Sequence, residues 1–459
     1  MANEDKKEKK ENIFCPAVLF YVGNPYIFRS TFIGHLYEIS QTYRVILLSE
    51  KLDHETEKIL ADKKLFPKLE KIIPVNQYPE KKKTLFNLLA LFVEHKRLRD
   101  LARNVVQRYK PNIVIAPSDY YTIFELYLFR HAKRIGVLKI AMQTSNVCVS
   151  KTKRIWVDLT NAYLRFPRFL PLFIRLFLVN CRKYIGYIFY CWIFPLFVGE
   201  KPLLGKSSFI LGNGISGMRD ADYQIVFSER DYGIFINEGV PREKLYILAH
   251  PLARGARSFF EKAYLNNEKK NKKNGKITTL FIPTEIKLRF RKKDYSLIST
   301  KKGEETWMET VKLISEILSG WKIYIKPHPD TKNLNGIKEK LESISKNIEF
   351  THHKEPADKY IKLADVIMNL PPSISTVLSS TSLQYPEKPI LSLDFHQEIL
   401  GDYYKNFEGV EYINNKEKFV SVLKKIRDNK YRKEYRKSKR KLAGFLNTVE
   451  LLKYLLQET

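Results

Sequence analysis

Two stretches in the C-terminal half decide the fold: WKIYIKPHPD, residues Trp321–Asp330, and KLADVIMNLPPSISTVLSSTSLQYPEKPILSLD, residues Lys362–Asp394. Each contains apolar, β-rich runs, and each run ends at a proline or an acidic residue. We therefore predict three buried strands that alternate with helices. Polar side chains follow the strand ends, at the edge where open α/β sheets bind their ligands.

The polar residues after these strands favour a phosphate site. His328 follows the first strand in a KPHP loop, where an imidazole can donate to a phosphate oxygen. Ser373, Ser375 and Thr376 follow Pro371 and Pro372 as the predicted cap and first turn of a helix, an end that attracts anions. The alternatives are plain helix capping and a solvated histidine. Because both features follow strands of one predicted sheet, their combination favours the phosphate site.

These motifs resemble the nucleotide-binding half of GT-B glycosyltransferases. The most similar members are cell-envelope enzymes: bacterial sialyltransferases, capsule Kdo transferases and CDP-glycerol glycerophosphotransferases. In those families the His-Pro histidine and the hydroxyls bind the nucleotide's phosphates, which implies that role for His328, Ser375 and Thr376. A second match, YQIVFSERDYGIFINEGVPREKLYILAHP at Tyr223–Pro251, is similar to the end of the N-terminal GT-B domain.

Further donor-binding residues are predicted on neighbouring loops. The strand Ile277–Ile282 ends in PTEIKLRFRKK, which brings Thr284 and Arg289 toward the phosphates, and Lys326 precedes the His-Pro pair. Arg289 is preferred because a guanidinium binds oxyanions with two donors. Ser379 stands near the position where many GT-B enzymes carry a ribose-binding glutamate. By the same resemblance we expect no metal and no cofactor, since the nucleotide-sugar is a substrate.

The N-terminal half predicts a second α/β domain. A strand Phe14–Val22, a helix Arg29–Ser40 and alternating segments up to Met142 indicate a doubly wound parallel sheet. The chain has neither G-x-G-x-x-G nor G-x-x-x-x-G-K-[ST], which excludes a dinucleotide oxidoreductase and a P-loop kinase.

Acceptor-side residues are predicted at the ends of these strands. Asp119 follows the strand Asn112–Ala116 and is the candidate general base for taking a proton from an acceptor hydroxyl. Its alternatives are loop capping and a salt bridge. Gly23 lets a backbone approach a ligand or makes a turn, and Gln143 and Asn146 orient the acceptor or cap a loop.

Length and composition fit two domains, since the chain has 459 residues, 44% of them hydrophobic. We predict α/β architecture of the GT-B type, with two Rossmann-like doubly wound domains facing a cleft. The predicted parts begin with a charged tail at residues 1–12 and an N-terminal acceptor domain at 13–250, which contains an aromatic and basic insertion at 156–205. A nucleotide-sugar domain is predicted at 251–440, and a final helix at 441–459 is predicted to pack back on the first domain.

A formal charge of +30 implies a negatively charged partner. The sequence contains no zinc finger, RNA-recognition motif or heptad zipper, so nucleic acid is not expected. The segment Ile155–Val198 is rich in aromatic residues but is interrupted by arginines and prolines, which favours helices lying on an anionic membrane surface. The alternatives are core helices, a dimer interface and a transmembrane hairpin. The four cysteines form no C-x-x-C pair, which indicates reduced thiols in the cytoplasm.

We therefore predict a metal-independent glycosyltransferase at the inner membrane face. It would transfer a sugar from a CMP- or UDP-linked donor to a surface polysaccharide or lipid-linked glycan by direct displacement at the anomeric carbon. Three alternatives stay open. They are a CDP-glycerol-type polyol-phosphate transferase, a non-catalytic GT-B scaffold of polysaccharide assembly, and a non-hydrolysing sugar-nucleotide epimerase, which would not need the insertion.

Overall fold

The structure is a computed structural model of the whole chain. The residues it describes are 16–23, 32–50, 52, 54–75, 87–118, 122–143, 150–167, 169–188, 193–197, 199–201, 220–249, 277–283, 289–327, 334–352, 357–370, 378, 381–382, 385, 387–399, 401–405, 407, 409–428, 431–432, 444–445 and 447–458.

The first sheet is parallel and has the strand order β3-β2-β1-β4-β5-β6-β7. Its strands are β1 (Ala17–Val22), β2 (Arg44–Ser49), β3 (Leu69–Pro74), β4 (Ile113–Ala116), β5 (Leu138–Met142), β6 (Tyr223–Val226) and β7 (Leu245–Ile247). The helices described in this part of the chain are α1 (Ile33–Thr42), α2 (His54–Leu60), α3 (Asn87–Tyr109), α4 (Ile123–Arg134), α5 (Ser150–Arg165), α6 (Leu172–Ile188), α7 (Phe194–Phe197) and α8 (Glu229–Asn237).

The second sheet is also parallel and has the order β12-β11-β8-β13-β14-β15. Its strands are β8 (Thr278–Pro283), β11 (Lys322–Ile325), β12 (Ile348–Phe350), β13 (Val366–Leu370), β14 (Ile390–Leu393) and β15 (Glu411–Ile413). A separate antiparallel hairpin joins β9 (Arg289–Phe290) and β10 (Leu297–Ile298). The helices of this region and of the C-terminus are α9 (Thr300–Ile317), α10 (Leu334–Glu342), α11 (Ala357–Leu363), α12 (Lys416–Arg427) and α13 (Thr448–Gln457).

Burial of the strands explains the parallel arrangement. All six residues of β1 are buried, as are all five of β13. A strand whose alternating side chains are apolar on both faces is stable only when helices cover both faces, which is the setting of parallel sheets. The core of the second sheet accordingly includes Trp307 of α9 and Phe419 of α12 beside the strand residues.

Side chains cap several helices where the sequence offers a short polar residue. Ser228 caps α8, Ser299 caps α9 and Asn415 caps α12, each by accepting a hydrogen bond from the backbone N–H three residues later. Each cap satisfies an amide that the helix itself leaves without a partner. The helices therefore begin directly after the loops that follow the strands.

By their contacts the described residues form two compact units, one with β1–β5, Asp220–Asp222 and α13, the other with the remaining elements from α5 to α12. In the first unit, α13 packs on α1 through Thr448, which is fully buried. The Thr448 amide donates to Glu38 at 3.0 Å, and the Thr448 hydroxyl lies 2.9 Å from the His35 ring. The domain boundaries stay predictions.

Candidate functional site

The switch point of the second sheet lies between β8 and β13. Numbered along the chain, its strand order is 3-2-1-4-5-6, and the first and fourth strands pair as far as Pro283 and Leu370 at their carboxyl ends. The Asn369 side-chain amide also donates to the carbonyl of Ile282 at 2.8 Å. Open α/β sheets bind ligands outside the carboxyl ends of strands at such a point.

Most predicted donor residues lie outside the described residues, so their roles stay predictions: Thr284, His328, Ser373, Ser375, Thr376 and Ser379. Their positions in the chain are informative nevertheless. They follow β8, β11 and β13, which are immediate neighbours in the sheet. Lys326 is described and lies directly after β11. It is buried, and its ammonium donates to the Pro327 carbonyl at 3.0 Å.

Arg289 lies on β9 and forms a buried ion pair. Its Nη1 donates to Oε1 of Glu398 at 2.9 Å, and both side chains are about nine-tenths buried, with exposures of 8% and 11%. Among the described residues, the Nε and Nη2 atoms of Arg289 have no hydrogen-bond partner. Sequence reasoning missed Glu398, although it lies only four residues beyond Asp394 at the end of β14.

The charges around this pair shift two titrating groups. Burial raises the pKa of Glu398 to about 7 and the neighbouring Asp394 raises it further, while Arg289 opposes both. Burial also lowers the pKa of His396 to about 4, and the nearby cations Arg289, Arg291, Lys302 and Lys416 lower it further. His396 is therefore neutral at physiological pH.

The hydrogen bonds of His396 define its tautomer. The Thr306 hydroxyl donates its single proton to the Lys302 carbonyl at 2.7 Å, and the same oxygen lies 2.8 Å from Nε2 of His396. Nε2 is therefore the protonated nitrogen and donates to Thr306, which leaves Nδ1 as an acceptor. His396 and Thr306 line a cavity of about 330 Å³, together with Lys302, Gln397, Asn414 and Lys416.

Asp394 anchors the segment that carries His396 and Glu398. One oxygen of its carboxylate accepts the Glu398 amide at 2.9 Å, and the other accepts the Tyr412 hydroxyl at 2.7 Å. Gly401 packs so closely that a Cβ there would overlap the Asp394 carboxylate. Two hydrogen bonds and the close packing of Gly401 thus fix the position of Asp394 at the end of β14.

The switch point of the first sheet lies between β1 and β4, after which Gly23 and Asp119 follow. Asp119 lies outside the described residues. A Cβ on Gly23 would come within 2.6 Å of the Tyr21 hydroxyl oxygen, so the glycine leaves room for that ring. Its predicted role in ligand approach stays a prediction.

Glu125 is a buried carboxylate near the start of α4. It is 1% exposed, accepts from the Ser118 hydroxyl at 2.8 Å and forms a capping box with Thr122. A carboxylate three residues into a helix reaches back to the cap, which explains its burial. Glu125 thereby fixes the start of α4 beside the end of β4.

Gln143 is engaged at both ends of its amide. Its oxygen accepts the Phe227 amide at 2.9 Å, and its nitrogen donates to Asp231 at 2.8 Å. These bonds tie the residue after β5 to α8. Its predicted acceptor role stays a prediction, and Asn146 lies outside the described residues.

Helices α5 and α6 pack against the β9 strand. Leu159 of α5 joins Phe290 and Ile399 in an apolar cluster, and the Tyr163 ring lies 5.2 Å from that of Phe290. Arg175 of α6, one of the arginines that interrupt the aromatic segment Ile155–Val198, is buried and stacks on Tyr163 at 4.5 Å. The planar guanidinium stabilises the contact between the two helices.

The other side of α6 is apolar and exposed. Phe173 and Phe177 are 72% and 66% exposed, and Phe169 just before the helix is 84% exposed. Arg165 and Arg182 are also exposed nearby. Among the described residues no helix combines the length and apolarity needed to cross a bilayer, and no three His, Cys, Asp or Glu side chains are grouped to hold a metal.

Comparisons with known proteins show the fold. No protein-family model and no curated protein matches the chain. A UDP-GlcNAc 2-epimerase from Neisseria meningitidis, solved with UDP-GlcNAc, matches with TM-score 0.57 at 12% identity, over 96% of this chain and 100% of that one. The S. aureus protein MnaA, solved with UDP, matches with TM-score 0.53 at 14% identity, over 97% and 98%.

A glycosyltransferase of kitacinnamycin is similar as well, with TM-score 0.50 and 10% identity over 92% of this chain and 94% of that one. These likenesses span nearly the whole of each chain. Together with the two parallel sheets they show that the chain has a GT-B-like fold of two Rossmann-type domains.

Proposed function

We propose that the protein is a nucleotide-sugar-dependent glycosyltransferase that works on a surface polysaccharide or lipid-linked glycan. One observation carries this proposal: the predicted phosphate-binding residues follow β8, β11 and β13, the three adjacent strands around the switch point of the second sheet. His328, Ser375 and Thr376 bind the donor's phosphates, with Lys326 and Arg289 supplying positive charge. The donor is CMP- or UDP-linked.

The transfer step follows from these roles. Asp119 takes the proton of the acceptor hydroxyl, whose oxygen forms a bond to the anomeric carbon while the bond to the donor's phosphate oxygen breaks. The electron pair of that bond leaves with the nucleotide. Cations and helix N-termini stabilise the developing negative charge, as they do for leaving groups generally.

We propose further that α6 places the enzyme on an anionic membrane. Phe169, Phe173 and Phe177 are exposed on one side, whereas Arg175 is buried on another. Phenylalanines that enter the lipid interface, flanked by arginines that pair with headgroups, form the usual pattern of interfacial helices. A chain of net charge +30 is attracted to such a surface.

A ligand panel with a matched pair of histidine variants tests the donor site. We expect one of CMP, CDP, UDP or GDP to raise the melting temperature by several degrees, since a ligand at a hundred times its Kd adds about 2.7 kcal/mol. His328→Ala should lose this shift. His352→Ala should keep it, because His352 is exposed after β12, an edge strand outside the three strands around the switch point. An unchanged shift in His328→Ala would contradict the proposed site.

A second candidate function is sugar-nucleotide epimerisation, which the similarity to UDP-GlcNAc 2-epimerases favours. Incubation with UDP-GlcNAc alone separates the two. An epimerase interconverts sugars without an acceptor, whereas a transferase releases nucleotide only when an acceptor glycan is present. Nucleotide binding with neither reaction would favour the scaffold alternative.

A further inference from the structure

The β9 strand pairs with the segment after β14, and the two faces of this pair carry different side chains. The Ile399 amide donates to the Phe290 carbonyl at 3.0 Å, and Arg291 pairs with Glu398 in an antiparallel bridge. Because side chains alternate along a strand, Phe290 and Ile399 face the α5 and α6 helices. Arg289 and Glu398 face the opposite way.

The two nitrogen atoms of Arg289 that have no partner among the described residues lie on one edge of its guanidinium. Glu398 occupies Nη1, and the two donors without a partner among the described residues are Nε and Nη2. The N–H bonds of these two atoms run parallel along one side of the planar guanidinium, the arrangement that binds a phosphate or carboxylate with two hydrogen bonds. Arg289 is only 7% exposed, and a buried donor left without a partner destabilises the folded protein. The edge is therefore suited to a bound oxyanion.

We propose that Glu398 is a positioning residue for a phosphate subsite: it holds Nη1 of Arg289 so that the Nε–Nη2 edge binds a phosphate of the nucleotide. This inference rests on the proposed function. It adds a residue that neither motif nor resemblance indicated, and it couples phosphate binding to a proton.

The surrounding groups keep this carboxylate in place. Asp394 accepts the Glu398 amide and is itself held by Tyr412, so the segment has little freedom to turn away. Arg291 bridges the Glu398 backbone, and Lys302 and Lys416 lie near His396. His396 has a pKa of about 4 and adds no change of charge near neutral pH.

The sign of the coupling follows from the charges. In the free protein, burial and Asp394 hold the pKa of Glu398 at about 7 against the opposing effect of Arg289. A phosphate on Arg289 adds negative charge beside Glu398 and raises its pKa further. Binding then takes up a proton between the free and bound pKa values. The affinity should therefore fall as the pH rises above about 7, by up to about tenfold per pH unit.

The experiment measures UDP or CMP binding by calorimetry from pH 6 to pH 8.5, using whichever nucleotide shifts the melting temperature. Glu398→Gln keeps an acceptor for Nη1 and removes the titration, so its affinity should follow only the ligand's own phosphate titration near pH 6. At pH 8.5 the variant should bind about tenfold or more tightly than the wild type, and at pH 6 the two should agree. The matching nucleoside, which lacks phosphate, should bind the wild type and Glu398→Gln equally well at pH 6 and at pH 8.5.

A second variant tests the guanidinium edge. Arg289→Lys keeps a cation beside Glu398 but has no bidentate edge, so nucleotide affinity should fall about tenfold or more while nucleoside binding is unchanged. Identical pH profiles of wild type and Glu398→Gln would overturn the positioning role and leave the proposed function standing. Unchanged affinity in Arg289→Lys would overturn the subsite. If no nucleotide binds the wild type at any pH, both the inference and the proposed function fail.

Discussion

At some positions only glycine allows two backbone segments to pack closely together, and Gly444 is one of them. Its φ is +75°, and a Cβ there would overlap the carbonyl of Ile247. The next residue, Phe445, donates its backbone N–H to the Ile247 carbonyl at 2.9 Å and accepts the Ala249 N–H at 3.0 Å. Gly444→Ala should therefore lower the free energy of unfolding by about 3 kcal/mol or more, from backbone strain of about 1–2 kcal/mol plus steric overlap. Urea denaturation measures this loss.

Gly320 provides the matched control. Its φ is +83°, yet nothing lies within 4 Å of a Cβ built on it. Gly320→Ala should show the backbone term alone, about 1–2 kcal/mol. If both variants lose the same free energy of unfolding, the Ile247 carbonyl moves aside in Gly444→Ala. The close contact at Gly444 would then contribute nothing to stability.

The sequence indicated candidate site residues from their chemistry, but it did not show which partners they have in the fold. Arg289 was predicted to bind the donor from its guanidinium chemistry, and that role stays a prediction. Its ion-pair partner Glu398 lies 109 positions away, and no local pattern connects the two residues. Glu125, by contrast, makes a contact that lies within a short stretch of the sequence. Its capping box with Thr122 is local, and the T-x-x-E spacing was the available signal.

Among the elements, α6 has one buried face and one exposed apolar face. Phe173 and Phe177, four residues apart, are both largely exposed, whereas Arg175 and Val179 between and beyond them are buried. Moving a phenylalanine from water into the lipid interface contributes up to about 1.5–3 kcal/mol. Phe173→Ser and Phe177→Ser should therefore each weaken binding to phosphatidylserine-containing vesicles about tenfold, as measured by co-sedimentation.

Val93→Ser is the control for this element. Val93 is 58% exposed on α3, so the variant removes an exposed apolar side chain from a different helix. Its vesicle binding should equal that of the wild type. If the phenylalanine variants also bind vesicles normally but change the sedimentation coefficient of the free protein, the face pairs with a second copy of the chain instead.

The strands of the two parallel sheets were easier to predict from sequence than the β9–β10 hairpin. Runs such as VIMNL have enough apolar residues to indicate a strand, and β13 lies at Val366–Leu370, within the stretch Lys362–Asp394 for which strands were predicted. The β9–β10 hairpin has two residues per strand, and its segment was read as a loop. Pairing with residues 397–399 stabilises this hairpin, a contact that hydrophobic periodicity does not report.

At the scale of the whole molecule, two parallel sheets and the likeness to GT-B-like structures agree on the fold. The alternation of strands and helices was sufficient to predict this architecture. Sequence could not select among the activities that share it, because fold and function are separable and the chemistry depends on loops. The choice between transfer and epimerisation therefore rests on the acceptor experiment.

The net charge of +30 is a property of the whole chain that should contribute to membrane binding. Changing the salt concentration separates its contribution from that of the α6 phenylalanines. Raising the salt from about 0.1 M to 1 M shortens the screening length from about 10 Å to 3 Å. Binding to phosphatidylserine-containing vesicles should then weaken at least about tenfold, since each cation near the surface contributes about 1 kcal/mol. Binding to phosphatidylcholine vesicles, which lack net charge, should be weaker at the start and insensitive to salt. Salt-independent binding to both would assign membrane docking to the α6 phenylalanines alone, and the positive charge would then act in solubility or in attracting the anionic donor.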